Sequence, residues 1–223
     1  MFVILDVDGT VCESCQPLSD EMVKRLMRLS VSHRLVFISG SSRENLEQMI
    51  SSKLNVKHEL LPEYGATEVH WLPNQKARVI GLLRSLLESL SIKPITEDYI
   101  LERQYQITLS CLGRSAPAEA KARFDPAGDL RRQLIRRFRE LSPMCGVESS
   151  YRLHIGGTTS VDVGFYDKRR GIVEFLKGRT DAIFVGDQFG PWGNDRSVLG
   201  LIPCFVVGKP ADFLQLAPLI SRL

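Results

Sequence analysis

Residues 2–11 read FVILDVDGTV, four apolar residues running into Asp6 and Asp8, which flank Val7, and then Gly9-Thr10. The apolar run Phe2 to Leu5 has the length and composition of a fully buried strand. A carboxylate at the end of such a strand is costly to ionise unless something pairs with it. Two of them within three residues call for a compensating charge.

Outward from this stretch, Leu18 to Leu29 carries apolar residues at Met22, Leu26 and Leu29, a helical spacing, with Ser19 placed to cap it. RLVFISGSS (34–42) reads as an apolar strand followed by a small-residue turn, and RENLEQMI (43–50) as a helix. Strand and helix thus alternate through the first fifty residues, the pattern of a parallel sheet flanked by helices. The far end repeats it. GIVEFLKG (171–178) is expected to form a helix closed by Gly178, DAIFVGD (181–187) a strand ending in Asp187, PCFVVG (203–208) a strand and ADFLQLAPLI (211–220) a helix.

The middle has another texture. Lys76 to Leu90 and Leu130 to Leu141 read as helices, the second with Leu130, Leu134, Phe138 and Leu141 on one stripe. RQYQITLSC (103–111) alternates like a half-exposed strand. YRLHIGG and TTSVDVGF form two alternating runs around Gly156-Gly157, the pattern of a hairpin. The expected architecture is an α/β parallel-sheet core made of residues 1–72 and 165–223, with an inserted α+β unit containing an antiparallel sheet at residues 73–164. The boundaries are placed near Pro73 and Gly164.

Composition narrows the classes. The 223 residues are 43% hydrophobic and 25% charged, with a formal charge of +3. That balance is ordinary for a globular chain and too near neutral to imply nucleic acid. RRQLIRRFRE (131–140) is explained by one packed and one solvated face, without an aromatic platform for bases. No apolar run approaches the ~18 residues of a membrane span, and Asp6 and Asp8 interrupt the N-terminal apolar stretch before it could serve as a signal peptide. A cytoplasmic location is the default expectation. Five cysteines at scattered positions argue against a disulfide framework. The pair Cys12 and Cys15 lacks the second Cys/His pair of a zinc site. His33, His58, His70 and His154 are dispersed and receive no catalytic role.

In open parallel sheets, ligands bind beyond the carboxyl ends of the strands. Asp6, Asp8, Ser39 and Asp187 all fall at such ends, and GDQFGPWGND (186–195) turns back so that Asn194 and Asp195 can join Asp187. Crowded carboxylates repel; a hard divalent cation such as Mg²⁺, which takes oxygen ligands alongside substrate phosphate, removes the conflict. Lys168 adds a positive charge, and Ser39 offers a hydroxyl and nearby backbone N–H groups to a phosphate.

DVDGT, ISGSS, Asp167-Lys168 and the GD…ND segment resemble, in order, the four motifs of the haloacid dehalogenase (HAD) phosphotransferase superfamily. The resemblance implies a HAD-like Rossmannoid core with an inserted cap. It implies Asp6 as a nucleophile forming an aspartyl-phosphate, and Asp8 as general acid/base and metal ligand through its carbonyl. Ser39 and Lys168 would hold phosphoryl oxygens, and Asp187 with Asn194 or Asp195 would complete a Mg²⁺ shell.

Within that superfamily the chain resembles eukaryotic-type phosphomannomutases over most of its length. RQYQITLSCLGRS carries the arginines Arg103 and Arg114 with the Gly-Arg-Ser ending, GGTTSVDVG supplies Ser160 and Asp162, and PEYGA resembles the family's PENG segment. By this resemblance Arg103, Arg114 and Lys121 would bind a second phosphate, and Ser160 and Asp162 would meet sugar hydroxyls. Arginine suits the first task because its donors are bidentate. Two positions depart from the family: Cys15, nine residues after Asp6, and Lys121, seven after Arg114, both stand where the family has arginine. The implied activity is Mg²⁺-dependent phosphoryl transfer on a hexose phosphate, interconverting mannose 1-phosphate and mannose 6-phosphate. A sugar-phosphate phosphatase on the same frame and a non-catalytic phosphosugar-binding regulator are the alternatives. The resemblance also suggests a homodimer formed through the cap.

Overall fold

A computed structural model describes residues 1–14, 16–68, 71–72, 74–147 and 151–223. Cys15, His70 and Pro73, named above, lie outside the described residues. The chain divides into two compact units, Met1–Ala66 with Tyr166–Leu223, and Thr67–Phe165. Among the described residues no helix is long and apolar enough to cross a membrane.

Numbered along the whole chain, the strands are β1 (Phe2–Asp6), β2 (Arg34–Ile38), β3 (His58–Leu61), β4 (Ile100–Glu102), β5 (Gln106–Ser110), β6 (Arg152–Gly156), β7 (Ser160–Gly164), β8 (Ala182–Gly186) and β9 (Cys204–Val206). The helices are α1 (Asp20–Leu29), α2 (Arg43–Leu46), α3 (Gln75–Ser89), α4 (Ala118–Phe124), α5 (Asp129–Leu141), α6 (Lys168–Leu176) and α7 (Pro210–Ile220). After α2 the backbone widens into a π-helical turn over Glu47–Ser51.

The first unit is a parallel sheet in the order β3-β2-β1-β8-β9. Apart from Asp6 and Arg34 at their ends, its central strands are apolar because both faces are covered. Val3, Leu5, Leu35, Phe37, Ile183 and Val185 pack on one side with Leu26 of α1 and Phe213 of α7. Phe2, Ile4, Val36, Ile38, Ala182 and Phe184 pack on the other with Ile172 and Leu176 of α6. The register aligns Asp6 with Ile38 and Leu5 with Val185, so the ends of β1, β2 and β8 lie side by side. Ser19 caps α1 as expected, accepting from Met22 N at 3.2 Å.

After β3 the Pro62–Gly65 turn is left-handed at three consecutive residues, Glu63 (φ 47°), Tyr64 (φ 60°) and Gly65 (φ 77°). For the two residues that carry a Cβ this conformation costs about 1–2 kcal/mol each. The turn is held by Glu63 N donating to Ser41 O and Tyr64 N to Ser39 O, both at 2.9 Å.

The second unit is an antiparallel sheet in the order β4-β5-β7-β6. The hairpin around Gly156-Gly157 forms as β6 and β7, with Gly156 paired to Ser160. The strand expected over 103–111 is confined to Gln106–Ser110, and it is buried along its length rather than half exposed. Its place between β4 and β7 accounts for the difference. On α5 the buried stripe is Leu134, Ile135 and Phe138, with Arg131 buried beside it, whereas Leu141 is exposed. The Arg131 guanidinium donates to Asp125 Oδ2 at 2.9 Å and to Gly157 O at 2.7 Å, tying α5 to the β6–β7 turn.

Candidate active site

Asp6 is the last residue of β1 and is 4% exposed. The loop after it is wound tightly: the N–H groups of Thr10, Val11 and Cys12 all reach Val7 O, and Gly9 N donates to Cys12 O at 2.8 Å. This winding brings the Thr10 hydroxyl back to Asp6 Oδ2 at 3.2 Å. The other oxygen of Asp6 accepts from Lys168 Nζ. Lys168 opens α6, where Asp167 caps the helix by accepting from Arg170 N at 2.8 Å.

Lys168 is fully buried, and its ammonium has three acceptors: Asp6, Asp195 Oδ1 at 2.5 Å and Asn194 Oδ1 at 3.2 Å. Burial alone would lower its pKa, but the Asp195 and Asp6 carboxylates outweigh that and hold it above the usual lysine range. Burial pushes the Asp6 carboxyl well up; Lys168 opposes this, while the Asp195 and Asp187 charges reinforce it. The cluster therefore has more carboxylate than its single ammonium neutralises.

Asp195 is fully buried. Its Oδ2 accepts from the backbone N–H of Asp187 at 3.0 Å and of Gln188 at 2.8 Å. Both its oxygens are thus engaged, and it fixes the loop after β8 as well as Lys168. A Cβ at Gly186 would stand 2.5 Å from Asp195 Oδ2, and one at Gly193 would stand 1.9 Å from Gln188 O, so this fold of the loop needs both glycines.

Asp187 is placed differently. Its Oδ2 accepts from Gln188 Nε2 at 2.7 Å, while its buried Oδ1 has no hydrogen-bond partner among the described residues. Burial raises its pKa, with the Gln188 hydrogen bond opposing and the Asp195 charge adding. Asp6, Asp187 and Asp195 each bring an oxygen within 4.8 Å of the others. An all-oxygen, like-charged set with an unpartnered buried oxygen fits a hard cation. Gly9, with φ +86°, makes the approach possible, since a Cβ there would lie 2.5 Å from Asp187 Oδ2.

Ser39 follows β2 and is buried. Its hydroxyl lies 3.5 Å from Asp8 Oδ2 and accepts from Ser41 N at 3.1 Å. Asp6, Asp8, Ser39, Lys168, Asp187, Asn194 and Asp195 all belong to the first unit. Thr10, Gly9 and Gly186 join them, although the sequence reading assigned them no role.

The second unit carries the remaining candidates. Arg103 lies between β4 and β5, its carbonyl accepting from Lys76 Nζ at 2.8 Å. Lys121 on α4 donates to the Arg114 carbonyl, so these two are neighbours. The Arg114 turn is pinned by Asp98, which accepts from Ser115 N at 2.9 Å, Ser115 Oγ at 2.6 Å and Thr96 Oγ1 at 2.5 Å. The Ser115 and Thr96 hydrogen bonds hold the Asp98 carboxyl well below the usual range. Gly113 permits that turn, since a Cβ there would lie 2.0 Å from Thr96 Oγ1. Ser160 and Asp162 share one face of β7, and Asp162 Oδ1 accepts from Thr108 Oγ1 at 2.6 Å. Register places Thr108, Asp162 and His154 in one row across β5, β7 and β6, with Ser110 and Ser160 in the next. Sequence spacing did not reveal this row, because it depends on which strands pair.

No family model matches the chain. The chain is similar to the phosphomannomutase of Saccharomyces cerevisiae, with 26% identity over 217 residues covering 88% of this chain and 84% of that one. A probable phosphomannomutase of Caenorhabditis elegans is 24% identical over 88% of this chain and 85% of its own length. Among solved structures, the C-terminal domain of C. albicans trehalose-6-phosphate phosphatase matches with a TM-score of 0.65 at 15% identity, covering all of this chain and 92% of that one. The N-terminal truncated, IMP-bound IMP-nucleotidase of Plasmodium falciparum matches with a TM-score of 0.70 at 13% identity, covering all of this chain and 68% of that one. At such identities the two structures speak to fold. The resemblance to phosphomannomutases is borne out, as is the α/β core with an inserted α+β unit. The proteins it resembles are enzymes of the phosphotransferase and hydrolase type, in line with the expectation of an enzyme.

Proposed function

We propose that the chain moves phosphoryl groups on a hexose phosphate through Asp6, in the manner of a phosphomannomutase. The observation that carries the reading is the setting of Asp6, with one oxygen against Lys168, the other against Thr10, and the open oxygen of Asp187 nearby.

In the first half-reaction an Asp6 oxygen attacks phosphorus, and the bond from phosphorus to the sugar oxygen breaks. Asp8, as the carboxylic acid, gives its proton to the departing oxygen. In the second half-reaction an incoming hydroxyl loses its proton to the Asp8 carboxylate and attacks the aspartyl-phosphate, which restores Asp6. Lys168 and the Ser39 hydroxyl bind the phosphoryl oxygens and orient them. Asp6 and Asp187, with the Asp8 carbonyl, would hold Mg²⁺, which when bound supplies positive charge against the repulsion between carboxylate and phosphate. Asp195 keeps Lys168 and the Asp187 backbone in place. Arg103, Arg114 and Lys121 would grip a second phosphate, and Ser160 and Asp162 the sugar hydroxyls.

A second reading, a sugar-phosphate phosphatase, draws support from two sequence departures. Cys15 and Lys121 stand where the mutases have arginine, and Lys121 loses the bidentate fork. The readings differ in what accepts the phosphoryl group, a sugar hydroxyl or water. Incubation with mannose 1-phosphate, Mg²⁺ and a hexose bisphosphate separates them. Mannose 6-phosphate is expected; free phosphate without it rejects the mutase, and neither product rejects both.

A further inference from the structure

Helix α6, which carries Lys168, and the Pro62–Gly65 turn, which braces Ser39, touch at a point that no catalytic side chain occupies. The Pro62–Gly65 turn donates two hydrogen bonds around Ser39, from Tyr64 N to Ser39 O and from Glu63 N to Ser41 O. Helix α6 begins with Lys168 and passes the same turn at Gly171. A Cβ at Gly171 would lie 1.8 Å from Tyr64 O and 3.3 Å from Gly65 Cα. Conversely, a Cβ at Gly65 would lie 3.2 Å from Gly171 Cα. Backbone meets backbone here, so no side-chain rotation could relieve an added methyl group.

The turn is strained at this contact. Two residues that bear a Cβ, Glu63 and Tyr64, are left-handed in succession, and both are buried. Strained backbone persists where its surroundings over-determine it, and such places cluster at functional sites. The contact lies one turn along α6 from Lys168, whose ammonium sits on Asp6.

We propose that Gly171 is a positioning residue for phosphoryl transfer. Its lack of a side chain lets α6 close on the Tyr64–Gly65 backbone, and this closure sets Lys168 relative to Ser39. The inference rests on the phosphoryl-transfer reading above, not on the choice of hexose.

The test compares Gly171→Ala with Ile172→Val, a buried neighbour on the same helix. Each is assayed with mannose 1-phosphate and with para-nitrophenyl phosphate, which has no sugar, and binding of inorganic phosphate with Mg²⁺ is measured by calorimetry. Alanine ordinarily favours a helix over glycine, so helix propensity alone predicts no loss. Displacement of Lys168 instead predicts a fall in kcat of about 10- to 100-fold on para-nitrophenyl phosphate and weaker phosphate binding. Ile172→Val should lower the melting temperature and leave kcat unchanged. Should Gly171→Ala fail to fold, Gly65→Ala, whose added Cβ makes a milder contact but must take a left-handed backbone, should show the same two losses.

A folded Gly171→Ala or Gly65→Ala protein with wild-type kcat on para-nitrophenyl phosphate and wild-type phosphate affinity overturns the proposal. So does a loss confined to mannose 1-phosphate. If the wild type cleaves para-nitrophenyl phosphate but no hexose phosphate, the hexose reading fails and the comparison still decides the role of Gly171. If the wild type turns over neither compound, phosphate binding alone decides it.

Discussion

The Asp6 carboxylate and the Lys168 ammonium, 162 residues apart in sequence, meet as a buried ion pair at the end of the central strand. Such a pair loses much of its attraction to desolvation, so it is a poor source of stability but a precise one of geometry. Lys168→Met leaves Asp6 and Asp195 buried together with no counter-charge. Stability should fall by about 3–5 kcal/mol in urea unfolding, and turnover should vanish. Asp6→Asn, which removes one of the like charges, should also abolish turnover but unfold at or above the wild-type urea midpoint.

The Asp187 oxygens, with Gly9 making room for them, form the most open part of the acidic cluster. Mg²⁺ should raise the melting temperature of the wild type, the rise continuing with the logarithm of its concentration above the dissociation constant, since binding to the folded state alone stabilises by mass action. Asp187→Asn and Gly9→Ala should lose that rise. Asp98→Asn, remote in sequence and not among these ligands, should keep it.

Acid sensitivity has a source in the second unit. Burial would raise the Asp125 carboxyl, but hydrogen bonds from the Arg131 side chain and from the Arg131 and Leu130 N–H groups outweigh it, and its pKa is lowered. The stabilisation is complete above the unfolded value of about 3.9 and is lost as pH falls through the lower folded value. Asp125→Asn should therefore flatten the acid limb of the stability profile below about pH 4. Arg131→Ala, which strands the buried carboxylate, should cost about 3–5 kcal/mol at neutral pH. Urea midpoints across pH measure both.

Thiol reactivity should separate by burial. Cys145 is exposed, whereas burial pushes the Cys111 thiol up to about 12, with Asp125 adding and Arg131 opposing. Iodoacetamide at neutral pH should label Cys145 in the folded protein and Cys111 only after unfolding, as peptide mass mapping would show.

The parallel core was legible because two-sided burial leaves long apolar runs, and the polar residues that end them, Asp6, Ser39 and Asp187, stand out against such a background. β3 was not legible: His58–Leu61 borders the sheet, is only partly buried, and mixes His and Glu with two leucines. β4, three residues long, carries too little pattern to recognise. The half-exposed reading of β5 failed because Gln106, Thr108 and Ser110 are polar yet buried, and alternation in sequence does not say whether the polar face meets solvent. Gly9, Gly113 and Gly171 gain their roles from atoms that approach from elsewhere in the chain, at Asp187, Thr96 and Tyr64. No local pattern announces such an approach. Asn194 or Asp195 was expected, from the resemblance, to join Asp187 at the metal; that Asp195 also binds Lys168 and two backbone N–H groups required the folded loop to see.

The central claim is that Asp6 takes the phosphoryl group. Wild-type protein mixed with Mg²⁺ and a hexose bisphosphate, quenched in acid within the first turnover and digested, should yield a phosphorylated peptide containing Asp6, which borohydride reduces at that residue. Asp6→Asn should yield none. Turnover by the wild type with the label absent from Asp6, or an equally active Asp6→Asn, would contradict it.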